Sequence, residues 1–355
     1  MHFTDGQIPP EYSRHIRGKF LLILAGLLVT GAVLIVSIGL GPISIPPSEV
    51  WMTLLGNTIS QRTDLILWHV RLPQALTAIV SGAGLAVCGA VMQAILRNPL
   101  GSPFTLGISH AAAFGAALSV MLLDLGTMTS SSADPMVINN PYLTTVISFG
   151  FSLLATCTII AISRLRRATP EIMVLTGVAL GSLFTAGTMF LQYFADDIQL
   201  AAMVFWTFGD VARASWTELS IISVVTCVAY LWFSMNRWNF NAIEAGDETA
   251  KGLGVRVERV RIIGMLISSL VTAVIVSFLG IIGFVGLVCP HMVRRMIGDD
   301  YRFLLPASCL MGGALLLAAD TAARLILAPN ILPVSVLTSF LGAPIFIWLI
   351  IRGNR

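Results

Sequence analysis

The sequence predicts an all-α protein that crosses a membrane about ten times, and three features carry that prediction. First, the 355-residue chain is 56% hydrophobic and only 11% charged, where soluble domains average about 25% charged residues. Second, its mean hydropathy is +0.87, and 31 glycines accompany two lysines, Lys19 and Lys251. Third, the apolar residues fall into runs of membrane length. Such a composition cannot clothe a soluble core in charge. It excludes a cytosolic enzyme, a nucleic-acid binder and a disordered scaffold.

A hydrocarbon core about 30 Å thick needs about 20 residues of helix at about 1.5 Å each. Apolar runs of that kind lie at 20–40, 74–96, 104–123, 143–162 and 172–194. The second half adds 216–234, 260–279, 281–297, 303–319 and 332–351. The eighth run is short and almost abuts the seventh. The first follows Arg14, Arg17 and Lys19, as a signal peptide would. Its length exceeds the usual apolar stretch of such peptides and no small-residue cleavage site follows, so it reads as a retained span. Two segments between runs are long. Segment 41–73 contains Ile45-Pro46-Pro47-Ser48-Glu49, where Ser48 is a candidate cap for a short interfacial helix. Segment 124–142, rich in Ser, Asn, Asp and Pro, reads as a loop. The whole of 1–355 is expected to be one membrane domain with an N-terminal tail over 1–19.

Ten spans place both termini on one side, and the cationic residues say which. With the N-terminus inside, the inner segments hold Arg14, Arg17, Lys19, Arg97, Arg164, Arg166, Arg167, Arg237, Lys251, Arg256, Arg259, Arg261, Arg294, Arg295, Arg302, Arg352 and Arg355. Only Arg62, Arg71, Arg213 and Arg324 fall outside. A missed span would scramble this asymmetry. Both termini are expected in the cytoplasm.

The spans are short of ionisable groups. Asp124, Glu171 and Asp320 sit at predicted span ends, and His110 is the nearest exception, read as a hydrogen-bonded structural residue. An ion-coupled carrier keeps intramembrane charges, because burying one needs a reason. Cys88, Cys157, Cys227, Cys289 and Cys309 stand far apart inside apolar runs, which suggests packing residues rather than a zinc site or disulfide framework. His291 follows Pro290 outside any HExxH pattern, so no catalytic metal and no cofactor are expected. No GxxxxGK[ST] loop occurs, so uphill transport would draw its energy from a partner chain. Small residues crowd two spans, at Ser81, Gly82, Gly84, Ala86, Cys88, Gly89 and Ala90, and at Gly177, Gly181 and Gly187. They allow close helix packing and equally suit the wall of a wide pathway.

Between the sixth and seventh spans, 240–256 contains Glu244-Ala245-Gly246-Asp247-Glu248-Thr249-Ala250-Lys251-Gly252-Leu253-Gly254-Val255. Asp247 to Lys251 can form a turn or two of helix, stopped by Gly252 and Gly254. A short inner helix of small and mixed-charge residues suits a groove on a soluble partner, although the same composition fits a plain connecting loop.

This segment resembles the coupling helix of permeases in the iron-siderophore, haem and cobalamin ABC importer family. Further segments resemble that family in the same order: Val70-Arg71-Leu72-Pro73, then Gln93-Ala94-Ile95-Leu96-Arg97-Asn98-Pro99-Leu100, then Leu175-Thr176-Gly177-Val178-Ala179-Leu180-Gly181. They continue with Gly280 to His291, Leu317-Ala318-Ala319-Asp320-Thr321-Ala322-Ala323-Arg324, and Leu341-Gly342-Ala343-Pro344. Together they cover about 70–352.

The resemblance implies a fold like that of the cobalamin-importer permease, and a homodimer of permeases with the path at its interface. It implies two ATP-binding subunits docked from the cytoplasm and a periplasmic or lipid-anchored substrate-binding protein outside. It implies that Glu244 to Gly254 couple to the ATPase, and that Asn98 and Leu100 narrow the inner mouth together with Thr169, Pro170 and Glu171. Glu171 replaces the small polar residue expected there. Arg71 and Arg324 match arginines that pair with acidic residues of the binding protein, interfacial anchoring being their alternative. A second arginine of that site is Gln74 here, with Arg62 as a candidate substitute. Gln93, Thr185, Thr188 and Gln192 are candidate path-lining residues, or ordinary interhelical hydrogen-bond partners. The cargo implied is a metal chelate, a ferric siderophore first, with cobalamin, haem and molybdate open. From other classes, an ion-coupled secondary transporter would need intramembrane charge, and a membrane enzyme would need a His, Asp or Cys cluster at one depth.

Overall fold

The computed structural model of the chain describes residues 10–41, 45–56, 60–123, 126–128, 136–138, 141–165, 169–328 and 330–352. Its helices are α1 (Pro10–Gly39), α2 (Pro47–Leu54), α3 (Gln61–Ile66), α4 (Leu72–Leu96), α5 (Ile108–Leu123), α6 (Pro141–Leu165), α7 (Pro170–Phe194) and α8 (Asp197–Thr207). They continue with α9 (Trp216–Met235), α10 (Arg237–Glu244), α11 (Asp247–Gly252), α12 (Val257–Leu279), α13 (Val285–Ile297), α14 (Tyr301–Ile326) and α15 (Val334–Arg352). The chain is an all-α, multi-span membrane protein. A helix stands on each of the ten apolar runs.

Not every run makes a full crossing. Among the described residues, seven helices have the length and apolarity to cross a membrane, while α5 and the apolar stretch Val334–Trp348 of α15 are shorter. The eighth run is shorter than the sequence suggests. Gly280, with φ +80°, ends α12, and α13 resumes only after Phe284, with φ +65°. That leaves α13 with 13 residues, which rise about 20 Å at 1.5 Å each. Two other expectations need correction. Ser48 does not cap α2: the helix starts on Pro47 after Pro46, with no side-chain cap, because proline's fixed φ and missing N–H suit a first turn. Segment 124–142 is not all loop, since β1 (Gly126–Met128) pairs antiparallel with β2 (Met136–Ile138). Asp124, Arg166, Arg167, Arg355 and the tail over 1–9 lie outside the described residues. Helix α8 had no place among the expected runs. Its start is nevertheless written locally, as a reciprocal capping box between Asp196 and Gln199 of the kind that satisfies two orphan donors.

Helix α4 is the axis of the bundle, packed on α14, α12, α13 and α9, and it is buried along nearly its whole length. A π-turn at Leu67–Arg71 continues α3 into α4 as one helix over 61–96. Within lipid, helices gain little from hiding apolar surface from one another, so close backbone approach must supply the attraction. Gly82 faces Gly312 of α14, and Gly89 faces Gly286 of α13, so closely that a Cβ at either would strike the opposing carbonyl. Helices α5, α6 and α7 form a second group, where Gly107, Gly177 and Gly181 bring the chain after α4 onto α7. Helix α1 lies along α14 with Phe20, Leu24, Leu28 and Ile35 exposed, as a lipid-facing helix requires.

Candidate functional site

One end of the bundle gathers the C-termini of α4 and α13, the N-termini of α12 and α14, and the short helices α10 and α11; it is called here the basic end. Helix α10 is strongly amphipathic. Phe240, Ala242 and Ile243 are buried, and Phe240 packs on Phe233 and Tyr301. Gly246 then turns the chain with φ +125°, a conformation that only glycine holds without strain. Helix α11 follows with Asp247 and Glu248 in its first turn and Lys251 in its last, the arrangement its dipole favours. The Gly254 N–H donates to the Lys251 carbonyl and the Val255 N–H to the Ala250 carbonyl, both at 2.9 Å, which closes the helix.

This element has an anchored side and a free side. Ala250 is fully buried. Asp247 pairs with Arg261 at 2.9 Å, and Glu244 pairs with Arg294. Burial pushes the Glu244 carboxyl above the usual carboxylate range, and the Arg294 charge pulls it back. Facing away are Ala245, Glu248, Thr249, Lys251, Gly252, Leu253 and Gly254. Glu248 and Lys251 pair across that exposed ridge at 2.9 Å, a contact of the kind that adds little stability. The ridge ends on Leu253, an apolar side chain 70% exposed.

The segment after α4 begins at Arg97, in the left-handed conformation at φ 45°. The Asn98 side chain accepts from the Leu100 N–H at 2.9 Å, an Asx-type turn that presents Leu100, 46% exposed. Thr169 precedes Pro170 at the start of α7, and Glu171 lies in that helix's first turn. The departure at Glu171 has a local physical reason, since a carboxylate there faces the positive end of the helix dipole. Contact of Leu106 and Gly107 with Gly177 and Gly181 joins the chain segment of Asn98 to α7, the helix that Thr169 precedes.

Two cavities lie around the break between α12 and α13. One, about 680 Å³, is lined by Phe104, Thr207, Phe208, Ile281, Gly283, Phe284, Ser335, Val336, Ser339, Phe340, Ala343 and Pro344. The other, about 150 Å³, shares Phe104 and Phe284 and adds Ser102, Thr105, Ser109 and Thr272. Phe284 therefore stands between them, on a backbone conformation that bulky residues rarely adopt. The path-lining candidates lie elsewhere. Gln93 donates to the Leu287 carbonyl of α13 at 3.2 Å, while Thr185 and Thr188 bond back to Gly181 and Phe184 in their own helix. None of them, nor Gln192, lines either cavity. His110 sits beside Phe104.

At the opposite end, Arg71 and Arg324 do not form an exposed charged rim. Each is only 5% exposed. Arg71 donates to the carbonyls of Ile38 and Gly39 at 2.7 and 3.0 Å. Arg324 pairs with Asp320 at 3.0 Å, donates to Ser37 Oγ at 2.7 Å and reaches the Leu40 carbonyl at 3.2 Å. The reason is the end of α1, whose last carbonyls have no partner within the helix and draw cationic donors. Gln74 completes the cluster by donating to Asp320 at 2.9 Å. Arg62, on α3, is exposed. The 320/324 spacing, one helical turn, was the available signal for the ion pair; nothing local announced α1 as the partner.

The sequence pattern of the FecCD transport family matches residues 27–352. A protein of Methanocaldococcus jannaschii named as an ABC transporter permease is 51% identical over 97% of this chain and 98% of its own. The hemin transport system permease protein HmuU of Yersinia pestis is 37% identical over 95% of each chain. A solved structure described as an inward-facing metal-chelate type ABC transporter superposes with a TM-score of 0.80 and 28% identity, covering 93% of this chain and 98% of that one.

Proposed function

The chain belongs to the FecCD transport family, whose members are permeases of ABC importers, and from that premise we propose that its cargo is a metal chelate, a ferric siderophore first. The observation that carries this reading is the larger cavity. Its lining combines four phenylalanines with hydroxyls and small residues, and none of the lining side chains is ionisable. Such a wall suits a bulky ligand whose metal charge is already enclosed by its own chelating atoms, and it offers no charge to trap it. Haem is the second reading. The rings of Phe104, Phe208, Phe284 and Phe340 suit a planar macrocycle, and the relative from Yersinia pestis is a hemin permease.

In this reading a second copy of the chain closes the path against the exposed residues of α7 and α15, among them Phe190, Tyr193 and Phe340. Two ATP-binding subunits dock on the ridge from Ala245 to Gly254 in the cytoplasm, and both termini share that side, as the cationic asymmetry suggests. The membrane is the cytoplasmic one. Asn98 and Leu100, with Thr169, Pro170 and Glu171, form the inner gate. A substrate-binding protein docks at the opposite end over Arg62, with Arg71 and Arg324 fixing the backbone beneath that surface.

Gly246→Pro tests the coupling role. Proline cannot take φ +125° and lacks the N–H that Gly246 donates to the Ile243 carbonyl at 3.1 Å. In reconstituted complexes the expected result is a loss of uptake while ATP hydrolysis continues. Uptake per ATP equal to wild type in an assembled complex would make the segment a plain connector.

A further inference from the structure

The two carboxylates that anchor α10 and α11 do not end at their arginines. Asp247 is gripped through both oxygens by one Arg261 nitrogen, at 2.9 and 3.0 Å. The Nε of that same guanidinium donates to the Ile95 carbonyl of α4 at 2.7 Å. Arg261 is 2% exposed, and Ile95 is one of the last residues of α4, where carbonyls lack a partner within the helix. Three residues on stands Asn98. The second path runs in parallel. Glu244 pairs with Arg294, which donates to the Tyr301 hydroxyl, and that hydroxyl donates to the Ala90 carbonyl of α4 at 3.0 Å. Tyr301 is completely buried. A planar guanidinium with several fixed donors can hold a carboxylate and a carbonyl at once, which a lysine ammonium does with far less geometric constraint.

We infer that Arg261 is a positioning residue that transmits displacement of α11 to the end of α4, and through it to the Asn98–Leu100 turn, with Arg294 and Tyr301 as a second tie one turn and a half further back along α4. Charge-assisted contacts that are at least half-buried, ending on buried bonds to α4, resist stretching far more than fully exposed pairs do. A push on the exposed ridge is therefore delivered to two points of α4 rather than absorbed in the Gly246 hinge. The inference rests on the coupling and gate assignments proposed above. It adds which side chain joins them.

The experiment uses the full complex of this chain with its ATPase in lipid nanodiscs, with the exposed Cys157 and Cys227 replaced by Ser. A cysteine is introduced at Leu253 or at Leu100, and its reaction with a membrane-impermeant maleimide is timed with and without ATP plus vanadate. In the parent complex, Leu253→Cys is protected by the docked ATPase and Leu100→Cys changes its labelling rate with nucleotide. In Arg261→Met the protection at Leu253→Cys persists and the nucleotide response at Leu100→Cys is lost. Should Arg261→Met fail to accumulate, Asp247→Asn and Arg261→Lys carry the same test, since each leaves a hydrogen-bonding group in place but breaks the rigid bridge. A retained response at Leu100→Cys in these variants overturns the relay while leaving the coupling reading intact. No protection at Leu253→Cys, or no nucleotide response at Leu100→Cys in the parent, overturns that reading and the relay with it.

Discussion

Arg324→Met is expected to destabilise the chain by about 3–5 kcal/mol, the range for removing one partner of a buried ion pair. Asp320 is 2% exposed, and without Arg324 it keeps a single neutral donor, Gln74 at 2.9 Å. The same change strips the Ser37 hydroxyl and the Leu40 carbonyl of their donor, so the end of α1 loses its polar tie to α14. The measurement is thermal unfolding of the purified chain in detergent, compared with the neutral pair Asp320→Asn with Arg324→Met. The double variant should recover most of the loss, because no uncompensated charge remains. A single variant as stable as wild type would mean that water or lipid headgroups already serve Asp320.

Gly89→Val should be worse tolerated than any substitution on the exposed ridge of α11. A Cβ at Gly89 falls on the Gly286 carbonyl, and Gly286 reciprocally meets the Leu85 carbonyl at 2.7 Å. The obstacle is backbone on both sides, so no side chain can rotate away. Forcing added atoms into a packed core typically costs about 1–3 kcal/mol and sometimes more, and here α13 must move bodily from α4. Because α13 begins just after Phe284, which stands between the two cavities, the expected outcome is lowered accumulation and, in the fraction that folds, disturbed transport. Gly252→Val is the control: its Cβ would meet nothing within 4 Å, so that variant should fold normally.

Much of this arrangement is written locally. The ten apolar runs each became a helix, because run length and the placement of Arg and Lys are properties of consecutive residues. Gly252 and Gly254 mark the end of the short helix α11 for the same reason, whereas the turn at Gly246 is seen only in the fold. The ion pairs behind that helix were not legible. Arg261 counted only as one more inner cation, since its partners lie 14 residues away at Asp247 and 166 away at Ile95. Arg71 and Arg324 looked like exposed charges because nothing in their own segments shows that α1 ends against them. The cavity walls were not legible for a related reason: they combine Phe104, Phe208, Phe284 and Phe340, which meet only after four distant segments converge.

The proposed division of labour makes this chain the path and another chain the motor. Its most direct test is uptake of a radio-iron-labelled ferric siderophore into proteoliposomes holding this chain, its ATPase and the substrate-binding protein. The expected result is accumulation that requires ATP and disappears when either partner is omitted, with no ATP hydrolysis by this chain alone. Accumulation driven by a proton or sodium gradient in the absence of the ATPase would contradict it.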